Sequence, residues 1–436
     1  MDRRSRGGQA VTRDDSGRGL LLASVAIGWF FALGLRFVLP GILPTIRESF
    51  PHATETQAGI AITMLWATYG LTQFPAGIAA DRVGEARVLV ASLVLAAASL
   101  LAFTFTPVFS LFVVVTGLFG AATGLYGPPR GTLLARVFSD RADRAIGLTL
   151  AAGSLGAAAL PAIAALVVDG LGWRVTLGLA APGFAIAAVA VHIAARRTDD
   201  GRETATPRPD GGDPESTPTE GGGEPSPSIP AAIRAAAGSV RNRRAGLAIV
   251  AAIVMYFGFQ GITALVTIYL VDERALFTQG EAGVLFGGLF VVGALSQWLA
   301  GWIATDRRSA RVLAGIAAVS VFPLIGLVVF DHRLLIGASV LLIGIRMGFA
   351  PVSNAFIIDC LPAEIEGTAW GGVRSALFVV SSLASTMVGI LADIGRFDGG
   401  ILVLAALTGF AAVLYLALPS CEARRLLGGS TDESSG

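Results

Sequence analysis

Four arginines stand inside otherwise apolar stretches of the chain, and few acids accompany them. Arg36 lies in FFALGLRFVLP, Arg346 is in the middle of another apolar run, Arg130 follows Gly127-Pro128-Pro129, and Arg374 sits early in GGVRSALFVVSSLASTMVG. A guanidinium in hydrocarbon costs from ~2.5 to more than ~10 kcal/mol, so each needs a counter-charge, a route to the surface or a function. No carboxylate falls at the depth of Arg36 in the first, second or seventh apolar run, which leaves it without an evident protein partner. Arg374 has a partner within reach in Asp359, and the two are expected to bridge as part of an inner gate. For Arg130, snorkelling to the headgroups competes with ligand binding. An excess of interior arginine over interior carboxylate suits a small organic or inorganic anion, because the planar guanidinium presents paired donors to a carboxylate or phosphate. Tyr69, Tyr126, Tyr256, Gln260 and Asn354 could share a binding site with Arg36, Arg130 and Arg346.

Other chemistries fit less well. A catalyst would need a nucleophile with its base, or a metal cluster. His52 and His332 fall in connections and His192 near a helix end, with no ligand spacing among them. Cys360 and Cys421 lie far apart, so no disulfide framework or thiol site is implied. No enzyme activity, metal or cofactor is expected. The net charge of +1 balances 32 basic residues, all arginine, against 31 acidic ones, so no global field draws the chain to nucleic acid.

The setting for these residues is a membrane. Of 436 residues, 54% are hydrophobic and only 14% are charged, and the mean hydropathy is +0.70, outside the range of soluble domains. Apolar runs of roughly 20 residues, long enough to cross ~30 Å of hydrocarbon, recur at 19–43, 57–80, 87–106, 109–137, 144–168 and 173–195. A second set follows at 246–270, 280–304, 310–330, 334–360, 367–393 and 397–418. The expected fold is therefore an all-α membrane protein of twelve transmembrane helices in two six-helix bundles. Arginines gather before the first run and at 82–87, 136–144, 196–244, 307–311 and 424–425, all on one side, so the positive-inside rule places both termini in the cytoplasm. The first run has no small-residue cleavage site and reads as a retained span. The expected division is a tail at 1–18, a first bundle at 19–197, a disordered linker at 198–244, a second bundle at 245–420 and a tail at 421–436. The linker is rich in Pro, Gly, Ser and acids that cannot bury a core, and its end (231–244) could form a short basic helix.

The two sets repeat at a constant offset of 224 residues. Thr54-x-x-Gln57-Ala58-Gly59 recurs as Thr278-x-x-Glu281-Ala282-Gly283, each with the residues of a capping box. Gly120 and Gly124 recur as Gly344 and Gly348, Asp169 as Asp393, and Arg130 as Asn354; Arg36 has Gln260 for its mate. Duplicated halves facing each other across a pseudo-twofold suit alternating access.

Residues 77–87, GIAADRVGEAR, resemble the helix 2–3 signature of the major facilitator superfamily, matching it at Gly77, Asp81, Arg82 and Gly84. The pattern has a base where this chain has Glu85, and the next base is Arg87. A degenerate copy, GWIATDRRSAR, keeps Gly301, Asp306, Arg307 and Arg311. Gly172-Trp173-Arg174 and Arg144 also look like the family. The resemblance implies a secondary active transporter in the cell membrane, a monomer whose partners are the bilayer, a small-molecule substrate and a coupling proton or counter-anion. It further implies a gating role for these signature residues: Asp81 would work against the start of helix 11 (366–370), and Asp306 near Arg144. The alternative is a proton-coupled multidrug antiporter, but AAGSLGAAALPA departs from that group's Gly-Pro arrangement and no acid stands in the middle of helix 1 or 4. A non-transporting membrane sensor would carry a soluble signalling domain, which neither linker nor tail resembles.

Overall fold

The computed structural model describes residues 4–205, 243–304, 309–361 and 366–418. Most of the expected linker, the C-terminal tail with Cys421, and the loop carrying Asp306 and Arg307 lie outside the described residues.

Every described element is helical. The first half comprises α1 (Arg4–Gly41), α2 (Glu55–Val83), α3 (Glu85–Phe103), α4 (Phe109–Val137), α5 (Ala142–Leu171) and α6 (Trp173–Ala205). The second comprises α7 (Arg243–Glu273), α8 (Gln279–Ile303), α9 (Ser309–Val329), α10 (Arg333–Ile358), α11 (Glu366–Asp393) and α12 (Phe397–Leu416). Eleven of these are long and apolar enough to cross a membrane. The exception, α2, has 29 residues but carries Glu55, Asp81 and Arg82 at its ends and Thr, Tyr and Gln along its length. Two expected boundaries move. Helix α1 begins at Arg4, inside the expected tail, and α6 continues to Ala205, into the expected linker. Neither stretch holds a proline to stop a helix already nucleated in the apolar run.

The repeat governs where helices start. Glu55 and Gln279, Glu85 and Ser309, Phe109 and Arg333, Ala142 and Glu366, and Trp173 and Phe397 each open a helix 224 residues apart. Both capping boxes form, with Thr54 accepting from the Gln57 N–H and Thr278 from that of Glu281. Packing repeats as well. Thr72 donates to the Ala121 carbonyl at 3.2 Å, and its mate Ser296 to the Ile345 carbonyl at 2.6 Å. Gly120 lies against the Leu65 carbonyl and Gly344 against that of Leu289, so that α4 meets α2, and α10 meets α8, backbone to backbone.

Helix α4 is interrupted after Gly124 and resumes at Gly127 with prolines in its first turn, where a missing N–H costs nothing. In α10 a 3-10 turn at Gly344–Gly348 takes the place of that break.

Substituting Gly120 or Gly344 by Leu forces a side chain into a neighbouring carbonyl, and overpacking of this kind costs about 1–3 kcal/mol. We expect each variant to lower the Tm in detergent, whereas Gly315→Leu, at a position with nothing within 4 Å, leaves it unchanged.

Candidate functional site

The halves meet along α2 against α11 and α5 against α8. Gly59 packs on the Ser385 backbone and Gly389 on that of Glu55, bringing α2 and α11 into direct contact near the α1–α2 loop. Thr63 reinforces the seam, donating to the Ser382 carbonyl at 2.7 Å and lying 2.8 Å from the Thr386 hydroxyl. Gly283 and Gly287 of α8 face Ala165 and the Ala158 carbonyl of α5 in the same way. Two hydrogen bonds tie the end of α1 to the second half: Thr267 donates to the Pro40 carbonyl at 2.6 Å and Gln279 to that of Gly41 at 2.8 Å. Arg47, in a short helix after α1, completes the closure. It reaches Glu55 at 2.7 Å and, across the seam, Asp272 at 2.6 Å. Asp393 accepts from the Glu55 and Thr56 backbone N–H groups at 2.8 and 3.0 Å, so the second half caps a helix of the first.

Deeper along the seam lies an arginine and aromatic cluster. Arg36 is 1% exposed. Its Nε donates to the Ala32 carbonyl of its own helix at 2.9 Å, and its guanidinium lies 4.0 Å from the Tyr69 ring centre and 5.2 and 5.3 Å from those of Trp29 and Trp66. Its Nη2 has no partner. Arg130 shares the Trp29 ring, at 4.5 Å, and donates to Thr149 at 2.5 Å, while its Nε is unpartnered. Trp66 stacks on Phe378 of α11 at 6.0 Å, and Tyr69 meets the same ring edge-on at 5.0 Å, which puts Arg36 one aromatic layer from the second half. Arg374 lies 6.0 Å from the Phe378 ring centre and interacts electrostatically with Arg36, Tyr69, Arg130 and Tyr256. Tyr256 packs on Phe378 and Phe349, with Asn354 at its hydroxyl and the Asn354 Oδ1 unpartnered. No Asp or Glu is among the buried side chains of the described residues.

Several expectations are redirected. Arg374 forms no ion pair with Asp359; its early position on α11 turns it into the cluster. Arg130 does not snorkel, because burial beneath Trp29 and its bond to Thr149 hold it inside. Arg346 is not brought to the seam. It is buried within the second half, donating to the Met255 carbonyl at 3.0 Å and to Thr408 at 2.7 Å, with Gly258 leaving room for its guanidinium. Its depth in sequence resembled that of Arg36, and only packing separates a brace between α7, α10 and α12 from a group at the interface. Tyr126 is likewise internal, donating to the Val25 carbonyl at 2.9 Å and stacking behind Trp29. Gln260 is buried with both amide atoms unpartnered.

Around the signature, Gly84 has φ of +93° and closes α2 by donating to the Ala80 carbonyl, a conformation that favours glycine. Asp81, Arg82, Arg87, Arg144, Gly301 and Arg311 are exposed and Gly77 half-buried. The Asp81 contact expected at 366–370 falls where the side chains of 366–369 are not described, and Asp306, expected near Arg144, lies outside the described residues. Glu85, the departure from the family pattern, makes a two-point bridge with Arg136 at 3.2 and 3.0 Å. The acids at the seam, Glu55, Asp272 and Asp393, were not among the expected site residues, although the repeat had marked Asp393 as the mate of Asp169.

The family model of the Major Facilitator Superfamily matches residues 25–385. The chain belongs to the Major Facilitator Superfamily. The fold agrees with solved members. The nucleoside transporter NupG, solved as a point mutant, is similar at a TM-score of 0.70 and 13% identity over 91% of this chain and 99% of that one. A bacterial homologue of the human lysosomal transporter Spinster, inward-facing and unoccupied, gives 0.72 and 13% over 92% and 96%. Its inward-facing, occupied form gives 0.67 at 13% over the same shares. At such identity the likeness concerns the fold. No curated protein sequence matches this superfamily member.

The closed seam carries a pH dependence. Glu55 precedes the apolar part of α2, and its carboxyl is pushed up to about 7, first by burial and then by Asp272, Asp393 and Glu273, against the pull of Arg47. Opening the seam to water returns it toward its ordinary value near 4.5, so the closed form binds the proton more tightly. Closure is therefore favoured as pH falls through about 7, and the gain is complete below about 4.5. Spin labels at exposed Val108 and Ile394, in a background lacking native cysteines, should report a short-distance population that grows on acidification in the parent and stays flat with pH in Glu55→Gln. Identical titrations in the two would contradict the assignment to Glu55.

Proposed function

We propose that this superfamily member is a secondary active transporter that carries a small anionic solute across the cell membrane by alternating access of its two halves. The observation behind the anion is Arg36: buried, one ring from the opposite half, with a free Nη2 and no acid beside it. Its three cation–π contacts, about 0.5–2 kcal/mol each, leave the upper part of its burial cost uncompensated, a guanidinium in a bilayer costing ~2.5 to more than ~10 kcal/mol. A diffusible anion supplies the rest. Arg130, Arg374, Tyr69, Tyr256, Asn354 and Gln260 are proposed to line the same path, while Arg346 and Tyr126 brace the helices behind it.

In this reading α2 is the twelfth span. Its polar residues are taken up by α11, α4 and the cluster: Thr63 bonds to α11 and Thr68 and Thr72 to α4, which accounts for its low hydropathy. The division into bundles at 19–197 and 245–420 follows the repeat, and the one-sided arginines favour cytoplasmic termini. The chain is proposed to work as a monomer without a cofactor. Gly77, Asp81, Arg82, Gly84, Arg87, Arg144, Gly301, Asp306, Arg307 and Arg311 are assigned to the cytoplasmic gate by the family signature, and Arg47, Glu55, Asp272 and Asp393 to the opposite one by their contacts.

The test is uptake into reconstituted vesicles of labelled organic and inorganic anions and of cationic drugs, with and without a proton gradient. Anion uptake is expected to fall at least about tenfold in Arg36→Ala, the equivalent of ~1.4 kcal/mol. Proton-driven drug movement indifferent to Arg36 would instead establish the multidrug antiporter.

A further inference from the structure

Of the three guanidiniums buried among the described residues, two lie together beside the seam; the third, Arg346, also keeps its Nη2 unpartnered but lies within the second half. Arg36 is 1% exposed and Arg130 7%, and both lie on the single indole of Trp29, at 5.2 and 4.5 Å from its centre. Each keeps one nitrogen without a partner, Nη2 of Arg36 and Nε of Arg130. Their other bonds go to the Ala32 carbonyl and the Tyr69 hydroxyl from Arg36 and to the Thr149 hydroxyl from Arg130. Arg374, also in electrostatic range, is half-buried and open to hydration. No buried acid among the described residues offsets any of the three.

A monocarboxylate meets one guanidinium through two parallel hydrogen bonds and cancels one charge. Bound at Arg36, it leaves Arg130 as a desolvated cation one ring away; bound at Arg130, it leaves Arg36 so. Both arrangements retain the larger part of the penalty for burying like charges together. An anion of charge minus two offsets both charges in a single binding event. The tyrosine hydroxyls of the cluster, Tyr69 and Tyr256, are neutral groups that complement the oxygens of such an anion without adding charge.

Resting on the reading that this seam is the anion site, we infer that the transported species is a dianion, either a dicarboxylate or a phosphate monoester. Which of the two is decided by whether the negative charges sit apart or on one head.

The experiment compares matched probes on the full-length reconstituted protein, reading binding by thermal shift and by competition. Glutarate is set against its monomethyl ester, and phenyl phosphate is titrated between pH 5 and 8, across its second ionisation near ~6. At least one dianion is expected to bind at least about tenfold more tightly than its monoanionic form: glutarate over the ester if the charges sit apart, phenyl phosphate rising with pH through its second ionisation if they share a head. Arg130→Gln should bring that ratio below about twofold by removing the second charge, while Arg36→Gln weakens both forms. Equal binding of monoanion and dianion in the parent, still dependent on Arg36, overturns the dianion and leaves the anion site standing. Binding of neither form, or binding indifferent to Arg36, removes the anion site and the dianion with it. The parent comparison decides the matter even if an arginine variant fails to fold.

Discussion

An uncompensated guanidinium beside the interface of two helical bundles is the constraint around which the rest is arranged. Arg36 could not be held there by α1 alone. Trp29 from its own helix and Trp66 and Tyr69 from α2 surround it with aromatic faces, and the rings of Phe37 and Phe378 extend that layer into α8 and α11. Aromatic faces soften the cost of a cation while adding no negative charge, so the site stays charged and unfulfilled instead of becoming an internal salt bridge. Had an acid stood on α2 or α7 at that depth, the pair would have closed on itself.

The seam around this cluster is built from residues that carry little. Gly59, Gly389, Gly283 and Gly287 let helices of opposite halves approach to backbone contact, and close packing of small residues is what holds helices together where lipid removes the hydrophobic drive. Contacts of this kind add no covalent or deeply interlocked link, so they can be made and broken as rigid surfaces. The stronger interactions are confined to the rim, where Arg47 bridges to Asp272 and Asp393 caps α2. Water reaches a rim readily, and the ion pairs there can part without stranding charge in hydrocarbon.

Much of this was legible in sequence because it depends on local pattern. The 224-residue offset carried through to five pairs of helix starts and both capping boxes, since caps and turn glycines act within a few residues of where they are written. The isolation of Arg36 was legible too, as an absence of acids at its depth. What a single strand of text does not hold is rotation about a helix axis. Arg36 and Arg346 both read as mid-span arginines, yet one faces the seam and the other braces α7 against α12. Arg374 was assigned to Asp359 by depth, and its side chain turns toward Tyr69 and Tyr256 instead. Asp393 is the mate of Asp169 in the repeat, but its bonds cross to the other half, and a repeat describes likeness within halves, not contact between them.

The most direct measurement is a diffraction experiment on crystals grown with selenate, locating the anion by anomalous scattering from selenium. A peak within hydrogen-bonding distance of Arg36 Nη2, on the seam side of Trp29 and displaced in Arg36→Ala, is the result expected of a guanidinium that waits for a diffusible counter-charge. A fully ordered structure in which that nitrogen is instead bonded to a protein carboxylate, with no selenium near it, would contradict the claim.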